Sequence, residues 1–279
     1  MKLLGKIKTA FQILFSEGLL SLLKAIKRYL STRFGPYQPD EVEIVYKALK
    51  AETFNGLMID VGARFGLSLS PFANSGWRVF AFEPDSENRK ILSNSFKDFN
   101  NVIIDKRALS NRIQEKATLF RSKESTGISS LSAFHHSHEP GEEVIVTTIE
   151  VFLNEQRISD QVIDFLKIDT EGFDLNILQG IPWSLTAPRL ISCEFEDPKT
   201  LSLGYSFHDL ANYLIDHGYK LIVSEWHPIK RYGGTHNWNR FALYPCELED
   251  PNAWGNILAT KEDELYNSLI QLCGFRPDA

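Results

Sequence analysis

Cysteine is scarce in this chain of 279 residues, and so are long runs without charge. The three cysteines, Cys193, Cys246 and Cys273, form no CxxC pair, which excludes a disulfide framework and a zinc ribbon and favours a cytoplasmic location. The longest run of low charge, residues 9–23, is shorter than the roughly 20 residues that cross a bilayer. Glu17 interrupts this run and no small-residue cleavage site follows it, so we expect neither a transmembrane helix nor a signal peptide.

Positive charge is also in short supply, except near the beginning of the sequence. The formal net charge of −6 argues against a protein whose whole surface binds nucleic acid, so nucleic acid is not an expected partner. Residues 1–34 contain seven basic residues and one acid, and their apolar residues are spaced as in two amphipathic helices. This segment is expected either to associate peripherally with an anionic membrane or to dock on protein. Gly35, Pro36 and Pro39 predict a linker, which divides the chain into a helical extension, 1–39, and a domain, 40–279.

From residue 40 onwards, short apolar runs alternate with helical patterns. Strands are predicted at 57–61, 79–82, 102–104, 165–168, 190–193, 220–223 and 241–244. Helices are predicted at 41–49, 85–97, 173–179, 207–217 and 261–272, with Gly218 as a C-cap and Thr260 as an N-cap. This alternation predicts an α/β fold with a mainly parallel sheet and helices on both faces. Ligands of such sheets bind beyond the carboxyl ends of the strands.

A glycine turn follows the first predicted strand. It has the pattern D-x-G-x-x-x-G, from Asp60 through Gly62 to Gly66, and is expected to lead into a helix near Leu67. Glu83 follows the second strand, 21 residues after Gly62, at the spacing of an acid that accepts hydrogen bonds from both hydroxyls of a ribose. Because the Asp60 carboxylate would repel a pyrophosphate, the pattern favours S-adenosylmethionine over a dinucleotide. The alternative is a tight turn without a ligand.

Three segments together resemble one protein family. They are Asp60-Val61-Gly62-Ala63 with Gly66, Phe82-Glu83-Pro84, and Phe165-Leu166-Lys167-Ile168-Asp169-Thr170-Glu171-Gly172-Phe173-Asp174-Leu175 with Leu178 and Gly180. These segments look like the FkbM family of S-adenosylmethionine-dependent methyltransferases, over about residues 55–245, and the K-x-D-x-E-G element is the most distinctive of them. Two positions depart from the family: Arg64 stands where Asn is frequent, and Ile149-Glu150-Val151 replaces a usual Leu-Asp-Asp.

The resemblance implies a Rossmann-like class I methyltransferase fold with a seven-stranded sheet. It also implies O-methylation of a hydroxyl, often on a sugar or a polyketide. The cofactor-binding residues that it implies are Asp60, Gly62 and Gly66 around the methionine part, with Ala63 of the same turn, Glu83 at the ribose, and residues 105–108, among them Asp105 and Ala108, at the adenine. Asp105 also ends the third predicted strand at the same sheet edge, although it could simply begin a turn.

Methyl transfer to a hydroxyl needs a base that takes the hydroxyl proton. Asp169 and Glu171 follow the fourth predicted strand and are catalytic candidates, although Glu171 is alternatively a first-turn acid that the dipole of the next helix stabilises. Lys167 is a further candidate, either to orient Glu171 or a substrate oxygen or simply to reach water from the strand end. Asp169 and Glu171 could also bind a hard cation with Glu194 and Glu196, but such carboxylates are common without a metal, so none is assigned.

A long aromatic segment lies between the last two predicted strands. It begins at Glu225-Trp226-His227-Pro228 and continues through Arg231, Tyr232, Gly233, Gly234, His236, Trp238 and Arg240. Aromatic faces and polar groups suit a sugar, whereas the alternative is a loop that seals the hydrophobic core. His227 is the fourth catalytic candidate, as a base that titrates near neutral pH, although an isolated histidine is more often structural.

Three closely spaced histidines, His135, His136 and His138, lie in a stretch without regular pattern. A solvated or mobile loop over the cofactor is favoured there over a metal site.

The favoured function is an O-methyltransferase that acts on a sugar, glycan or glycolipid. The alternative is a non-catalytic module that retains the methyltransferase fold and binds a membrane surface or a partner, which would be favoured if Arg64 blocked the cofactor pocket. N-methylation is less favoured, because nothing in the sequence resembles an amide-recognition tetrapeptide.

Overall fold

The computed structural model describes residues 38–50, 55–232 and 234–275. The helices predicted for residues 1–34 lie outside these ranges, so the helical extension and the domain boundary after residue 39 stay predictions. In the part of the chain that the structure describes, no helix is long and apolar enough to cross a membrane.

The described residues contain eight helices and eleven strands. The helices are α1 (Glu41–Lys50), α2 (Ser70–Asn74), α3 (Ser86–Ser95), α4 (Ile149–Gln156), α5 (Asp174–Gln179), α6 (Asp197–Thr200), α7 (Phe207–Asp216) and α8 (Asp263–Leu272). The strands are β1 (Leu57–Val61), β2 (Arg78–Phe82), β3 (Val102–Asp105), β4 (Ala108–Leu109), β5 (Gln114–Ser122), β6 (His138–Thr147), β7 (Phe165–Ile168), β8 (Leu190–Glu196), β9 (Lys220–Trp226), β10 (Trp238–Leu243) and β11 (Trp254–Thr260). Short 3₁₀ turns occur at Thr126–Ile128 and Leu201–Leu203.

The larger sheet has eight strands among the described residues, in the order β10-β9-β11-β8-β7-β1-β2-β3. Strands β8, β7, β1, β2 and β3 are parallel neighbours. Strand β11 runs antiparallel to both β8 and β9, and β10 runs antiparallel to β9. The predicted α/β fold with a mainly parallel sheet is confirmed, whereas the predicted number of seven strands is wrong.

The strand missing from the sequence prediction is β11, which lies between β8 and β9. Gly255 lowers its strand propensity, yet a Cβ atom at this position would lie 1.9 Å from the carbonyl oxygen of Ser224 on β9. Glycine therefore permits the close pairing of the two strands. The N-cap predicted at Thr260 is wrong, because Thr260 is the last residue of β11 and helix α8 begins only at Asp263.

A second sheet of three strands, in the order β4-β6-β5, was not predicted. Strands β5 and β6 are rich in charged residues, and many of their side chains are exposed. Pro140 and Gly141 within β6 also disfavour a strand by propensity. Hydrophobic patterning therefore gave no signal for this hairpin. The structure shows that His138, which was expected in irregular backbone, begins β6.

Apolar side chains cover both faces of the larger sheet, as the alternation of side chains along a strand requires. One face packs against α4, α5 and α7, and the other against α1, α2 and α8. Because both faces are covered, the site that remains open to a ligand is the edge where the parallel strands end.

Two local expectations at helix ends have different outcomes. Gly218 ends α7 with a φ of +83°, a left-handed conformation that confirms the predicted C-cap. The helix predicted near Leu67 begins instead at Ser70. Gly66 has a φ of +81°, which lies outside the helical region and extends the turn that follows β1.

Candidate active site

A cavity of about 720 Å³ opens at the carboxyl ends of β1, β2, β7 and β8. This volume lies within the range of roughly 300–1,000 Å³ that is usual for small-molecule sites. The connection between β5 and β6 also lines this cavity. Of the predicted site residues, the cavity wall contains Gly62, Ala63, Glu83, Ala108, Lys167, Asp169 and Glu171. The predicted site residues that do not line this cavity are Asp60, Gly66, Asp105 and His227.

Glu83 lies just after β2 and is only 5% exposed. One carboxylate oxygen accepts the backbone N–H of Arg64 at 2.7 Å, and the other accepts the backbone N–H of Asp85 at 2.8 Å. Burial raises the pKa of Glu83 to about 7, although these two hydrogen bonds act in the opposite direction. Glu83 thus joins the turn after β1 to the start of α3, and each of its oxygens keeps a second lone pair for a ligand.

Asp60 was expected to face the cofactor. It lies within β1 instead and is fully buried. Its carboxylate accepts a hydrogen bond from the hydroxyl of Ser68 at 2.5 Å and lies 3.7 Å from the ammonium of Lys167. Burial raises the pKa of Asp60. Both partners line the cavity, so Asp60 holds two of its wall residues in place.

Gly62 is required by the close approach of β1 and β7. Its φ is +82°, and a Cβ atom there would lie 1.9 Å from the carbonyl oxygen of Asp169. Gly66 meets a different constraint, because a Cβ atom on it would lie 2.3 Å from the ring of Phe96. Gly62 therefore shapes the cavity directly, whereas Gly66 lets α3 pack under the turn.

Asp105 ends β3, as predicted, and Arg107 engages its carboxylate. The Arg107 side chain donates to it at 2.7 Å and the backbone N–H of Arg107 at 2.9 Å. Arg107 and Ala108 line the cavity. Arg107 belongs to the stretch 105–108 that was expected at the adenine, and the structure places it on the cavity wall instead of Asp105.

Lys167 and Asp169 form an ion pair of 3.1 Å at the end of β7. Burial opposes the charge of Asp169, but Lys167, Lys199 and Arg64 together hold its pKa below the ordinary value. Asp169 is therefore an ionised carboxylate and a weak base.

Glu171 lies two residues after Asp169 and forms an ion pair with a buried lysine that was not predicted from the sequence. Lys199 on α6 is only 2% exposed and its ammonium contacts the carboxylates of Glu171, Glu194 (3.1 Å) and Glu196 (2.7 Å). Burial raises the pKa of Glu171 to about 7, although Lys199 pulls it down. The carboxylates of Asp169, Glu171 and Glu194 lie within 4.8 Å of one another, and Lys199 supplies positive charge beside them.

The aromatic segment, residues 225–240, contributes both to the packed core and to the cavity wall, the two roles considered for it. Glu225 is buried, pairs with Arg240 at 2.8 Å, and belongs to the packing of the sheet. Tyr232 and His236 line the cavity together with Trp254 of β11, and the Tyr232 hydroxyl donates to Glu196 at 3.0 Å. His227 is exposed and lines a separate small depression, so the histidine that the structure brings to the cavity is His236.

The sequence matches the family model of the FkbM methyltransferase domain over residues 60–221, which is more than half of the chain. The chain belongs to the FkbM methyltransferase family. The recognition from the three sequence segments is thereby confirmed. A search of curated proteins returned no match.

Solved structures with a similar fold are also methyltransferases. Precorrin-6Y C5,15-methyltransferase from Geobacter metallireducens has 16% identity and a TM-score of 0.42, over 81% of this chain and 90% of that chain. An rRNA methylase from Streptococcus thermophilus has 10% identity and a TM-score of 0.40, over 79% and 93%. A SAM-dependent methyltransferase from Agrobacterium tumefaciens has 7% identity and a TM-score of 0.43, over 80% and 61%. These similarities concern the class I methyltransferase fold alone.

The cofactor of this FkbM methyltransferase is S-adenosylmethionine. The residues of the cavity fit it, because Glu83 offers a buried carboxylate to a ribose and Gly62 offers a turn without a side chain. The expectation of no nucleic acid partner rests on the negative net charge alone and stays a prediction.

Arg64, the residue that departs from the FkbM pattern, lines the cavity without closing it. Its guanidinium lies 4.8 Å from the centre of the Phe65 ring, beside Gly127. The cavity has a volume of about 720 Å³ with this side chain in place. Arg64 has a φ of +48°, a left-handed conformation that Asn tolerates better than Arg, which gives a physical reason for the Asn that is frequent in the family.

We expect Arg64→Asn to raise the free energy of unfolding by about 0.5–1 kcal/mol, because it relieves backbone strain. The hydrogen bond to Glu83 comes from the backbone N–H and is retained. Arg157→Asn is the matched comparison for the same substitution away from the cavity, since Arg157 is also left-handed, with a φ of +56°, at the end of α4. Denaturant titration measures both variants, and a less stable Arg64→Asn protein would contradict the strain at this position.

We expect Glu83→Ala to weaken S-adenosylmethionine binding roughly tenfold to a hundredfold, since hydrogen bonds to a charged group contribute about 1.5–3 kcal/mol. The variant also leaves two backbone N–H groups without an acceptor, so its melting temperature falls. Calorimetry with S-adenosylmethionine measures the affinity. Glu87→Ala, an exposed position on α3, is the control, and equal affinity of the two variants would remove Glu83 from the cofactor site.

Proposed function

We propose that this FkbM methyltransferase transfers the methyl group to a hydroxyl of a sugar, glycan or glycolipid. The observation that carries the proposal is the placement of Glu171 on the cavity wall with a pKa of about 7, beside Lys199. A carboxylate with this pKa can accept a hydroxyl proton near neutral pH.

Asp169 and Glu171, the two acids after β7, have different roles in the proposed reaction. S-adenosylmethionine supplies an electrophilic methyl group on a sulfonium. Glu171 accepts the proton of the acceptor hydroxyl, and Lys199 holds the Glu171 carboxylate in place. Asp169, ionised and paired with Lys167, orients the acceptor and offers negative charge near the cationic part of the cofactor. Environments that push the pKa values of two neighbouring carboxyl groups apart are typical of an acid–base site.

The wall near Glu171 supports a sugar as the acceptor. Tyr232, His236 and Trp254 line it together and present aromatic faces and polar edges. Aromatic faces stack on the CH groups of a sugar ring, whereas its hydroxyls need donors and acceptors. The polar groups of Glu194 and Lys199 also lie on this wall.

Transfer of a labelled methyl group from S-adenosylmethionine to a panel of acceptors tests the proposal. The panel contains free sugars, glycolipids, structured RNA and a protein with exposed lysines. We expect label in the sugar or glycolipid fractions and none in the other two. Label that enters RNA or protein alone would contradict the proposed acceptor class, and absence of transfer to every member together with absence of cofactor binding would contradict an active enzyme.

Residues 1–34, which lie outside the described residues, carry a separate proposal of peripheral association with anionic membranes. Each basic residue near such a surface contributes about 1 kcal/mol, so K24E/K27E/R28E should abolish sedimentation with anionic vesicles at low salt. The control K90E/K97E/K106E makes the same charge change at exposed positions of the domain. Equal sedimentation of both variants would favour docking on protein instead.

A further inference from the structure

The connection between β5 and β6 carries a second cluster of potential ligands, outside the cavity. Strand β5 ends at Ser122 and β6 begins at His138, and these two residues are opposite each other in the antiparallel pairing. Glu124 lies two residues beyond the end of β5, while His135 and His136 lie just before the start of β6. The hairpin therefore brings both ends of a long connection to one place.

The side chains of Glu124, His135 and His136 offer three ligand atoms that lie within 4.8 Å of one another. The His136 Nε2 atom is 3.2 Å from a carboxylate oxygen of Glu124. The imidazole rings of His135 and His136 have centroids 4.1 Å apart. Glu124 and His136 are exposed, so an ion can reach the cluster from solvent.

Hydrogen bonds fix the backbone around these three side chains. The Ser122 hydroxyl accepts the backbone N–H of Glu124 at 3.0 Å and lies 2.6 Å from the Ser137 hydroxyl. The Ser137 hydroxyl in turn lies 2.7 Å from Nδ1 of His135. The same Nδ1 accepts the backbone N–H of Ser137 at 3.3 Å, so Ser137 fixes the orientation of the His135 ring. The cluster is thus held by the base of the hairpin.

We propose that Glu124, His135 and His136 form a binding site for a divalent transition cation, with Zn²⁺ as the ion that suits it best. Two imidazole nitrogens and one carboxylate oxygen are a usual set of three protein ligands for Zn²⁺, with water as the fourth. Hard cations such as Mg²⁺ prefer oxygen ligands only. The ligand atoms of a tetrahedral Zn²⁺ lie about 3.3 Å apart. Side-chain rotations that move the ligand atoms by about 1–2 Å therefore bring them to this spacing.

This site differs in chemistry from the cluster of acids in the cavity. There the ammonium of Lys199 already contacts Glu171 and Glu194, whereas no lysine or arginine contact is seen at Glu124 in the described part of the chain. A bound ion would join the two ends of the connection whose middle, between residues 125 and 131, forms one wall of the cavity. The His135 ring also packs against Tyr232, 5.1 Å between centroids, on the same side.

Calorimetric titration of the full chain with ZnCl₂ and with MgCl₂ tests the site. We expect one Zn²⁺ per chain, a Zn²⁺ affinity at least about tenfold lower in His135→Ala, His136→Ala and Glu124→Gln, and no Mg²⁺ binding that these changes affect. His208→Ala is the matched control, because His208 forms an ion pair of 3.2 Å with Glu247 but belongs to no three-ligand cluster among the described residues. It should bind Zn²⁺ as the wild type does.

Hydrogen–deuterium exchange gives a second readout that does not depend on activity. Zn²⁺ should slow amide exchange in residues 123–137 of the wild type and not of His136→Ala. Absence of Zn²⁺ binding by the wild type, or binding that all three ligand variants retain, would overturn the site. Unchanged exchange in residues 123–137 despite Zn²⁺ binding would equally place the ion elsewhere.

Discussion

We expect Glu171→Gln to lower turnover by about 10²-fold or more, because general base catalysis contributes typically 10²–10⁴-fold. The amide keeps the shape of the side chain but cannot accept the hydroxyl proton. Affinity for S-adenosylmethionine should change little. The measurement is the steady-state rate with an acceptor identified by labelled transfer, with cofactor affinity measured alongside.

The matched control is Glu196→Gln, which changes another carboxylate that contacts Lys199 but does not line the cavity. Its turnover should exceed that of Glu171→Gln clearly. The wild-type rate should rise with pH through about 7, since Glu171 must lose its proton to act as a base and its pKa lies there. Equal turnover of Glu171→Gln and wild type, or a rate that falls as pH rises through 7, would remove Glu171 from the mechanism.

The second large effect is expected from Lys199→Met. This change leaves Glu171, Glu194 and Glu196 without their shared cation, and removal of one partner from a buried ion pair costs about 3–5 kcal/mol of the free energy of unfolding. The loss should be greatest at high pH. Without Lys199, the pKa values of Glu171 and Glu194 rise further above their unfolded values, so ionisation at higher pH destabilises the folded state, and protonation at lower pH restores part of the stability.

Denaturant titration at pH 5.5 and pH 8 measures this effect. Lys116→Met is the control, because Lys116 forms an exposed pair with Glu143 whose loss costs at most about 1 kcal/mol. In Lys199→Met, the pH at which the rate rises should also move upward, since Lys199 lowers the pKa of Glu171. Equal stability of Lys199→Met and Lys116→Met at pH 8 would show that the buried cluster does not depend on the lysine.

The sequence allowed prediction of those site residues whose position follows from a strand end. Gly62, Glu83 and Asp169 each come directly after a buried parallel strand, and parallel strands place their carboxyl ends at one edge. Hydrophobic runs locate such strands well. The location of these three residues on the cavity wall could therefore be predicted from the sequence.

Lys199 could not be predicted in the same way. It lies in the short helix DPKT after β8, a context typical of a solvated turn, and only the packing of that helix buries its ammonium among three carboxylates. A signal existed in Glu194 and Glu196, since residues two apart on a strand point to one face and two buried acids on one face need a cation.

The aromatic segment after β9 illustrates a different limit. The sequence shows its composition, which suits a sugar site and a packed core equally. Which histidine reaches the cavity depends on the path of the backbone between β9 and β10. The structure brings His236 to the wall and leaves His227 at the surface, although both have aromatic neighbours in the sequence.

The position of the transferred methyl group in the product tests the central proposal most directly. The product is made with S-adenosylmethionine carrying a ¹³C-labelled methyl group, and its NMR spectrum identifies the atom to which the methyl is attached. The proposed role of Glu171 as the base for a hydroxyl predicts a methyl ether on an oxygen of the sugar acceptor. A methyl group attached to nitrogen or carbon would contradict it.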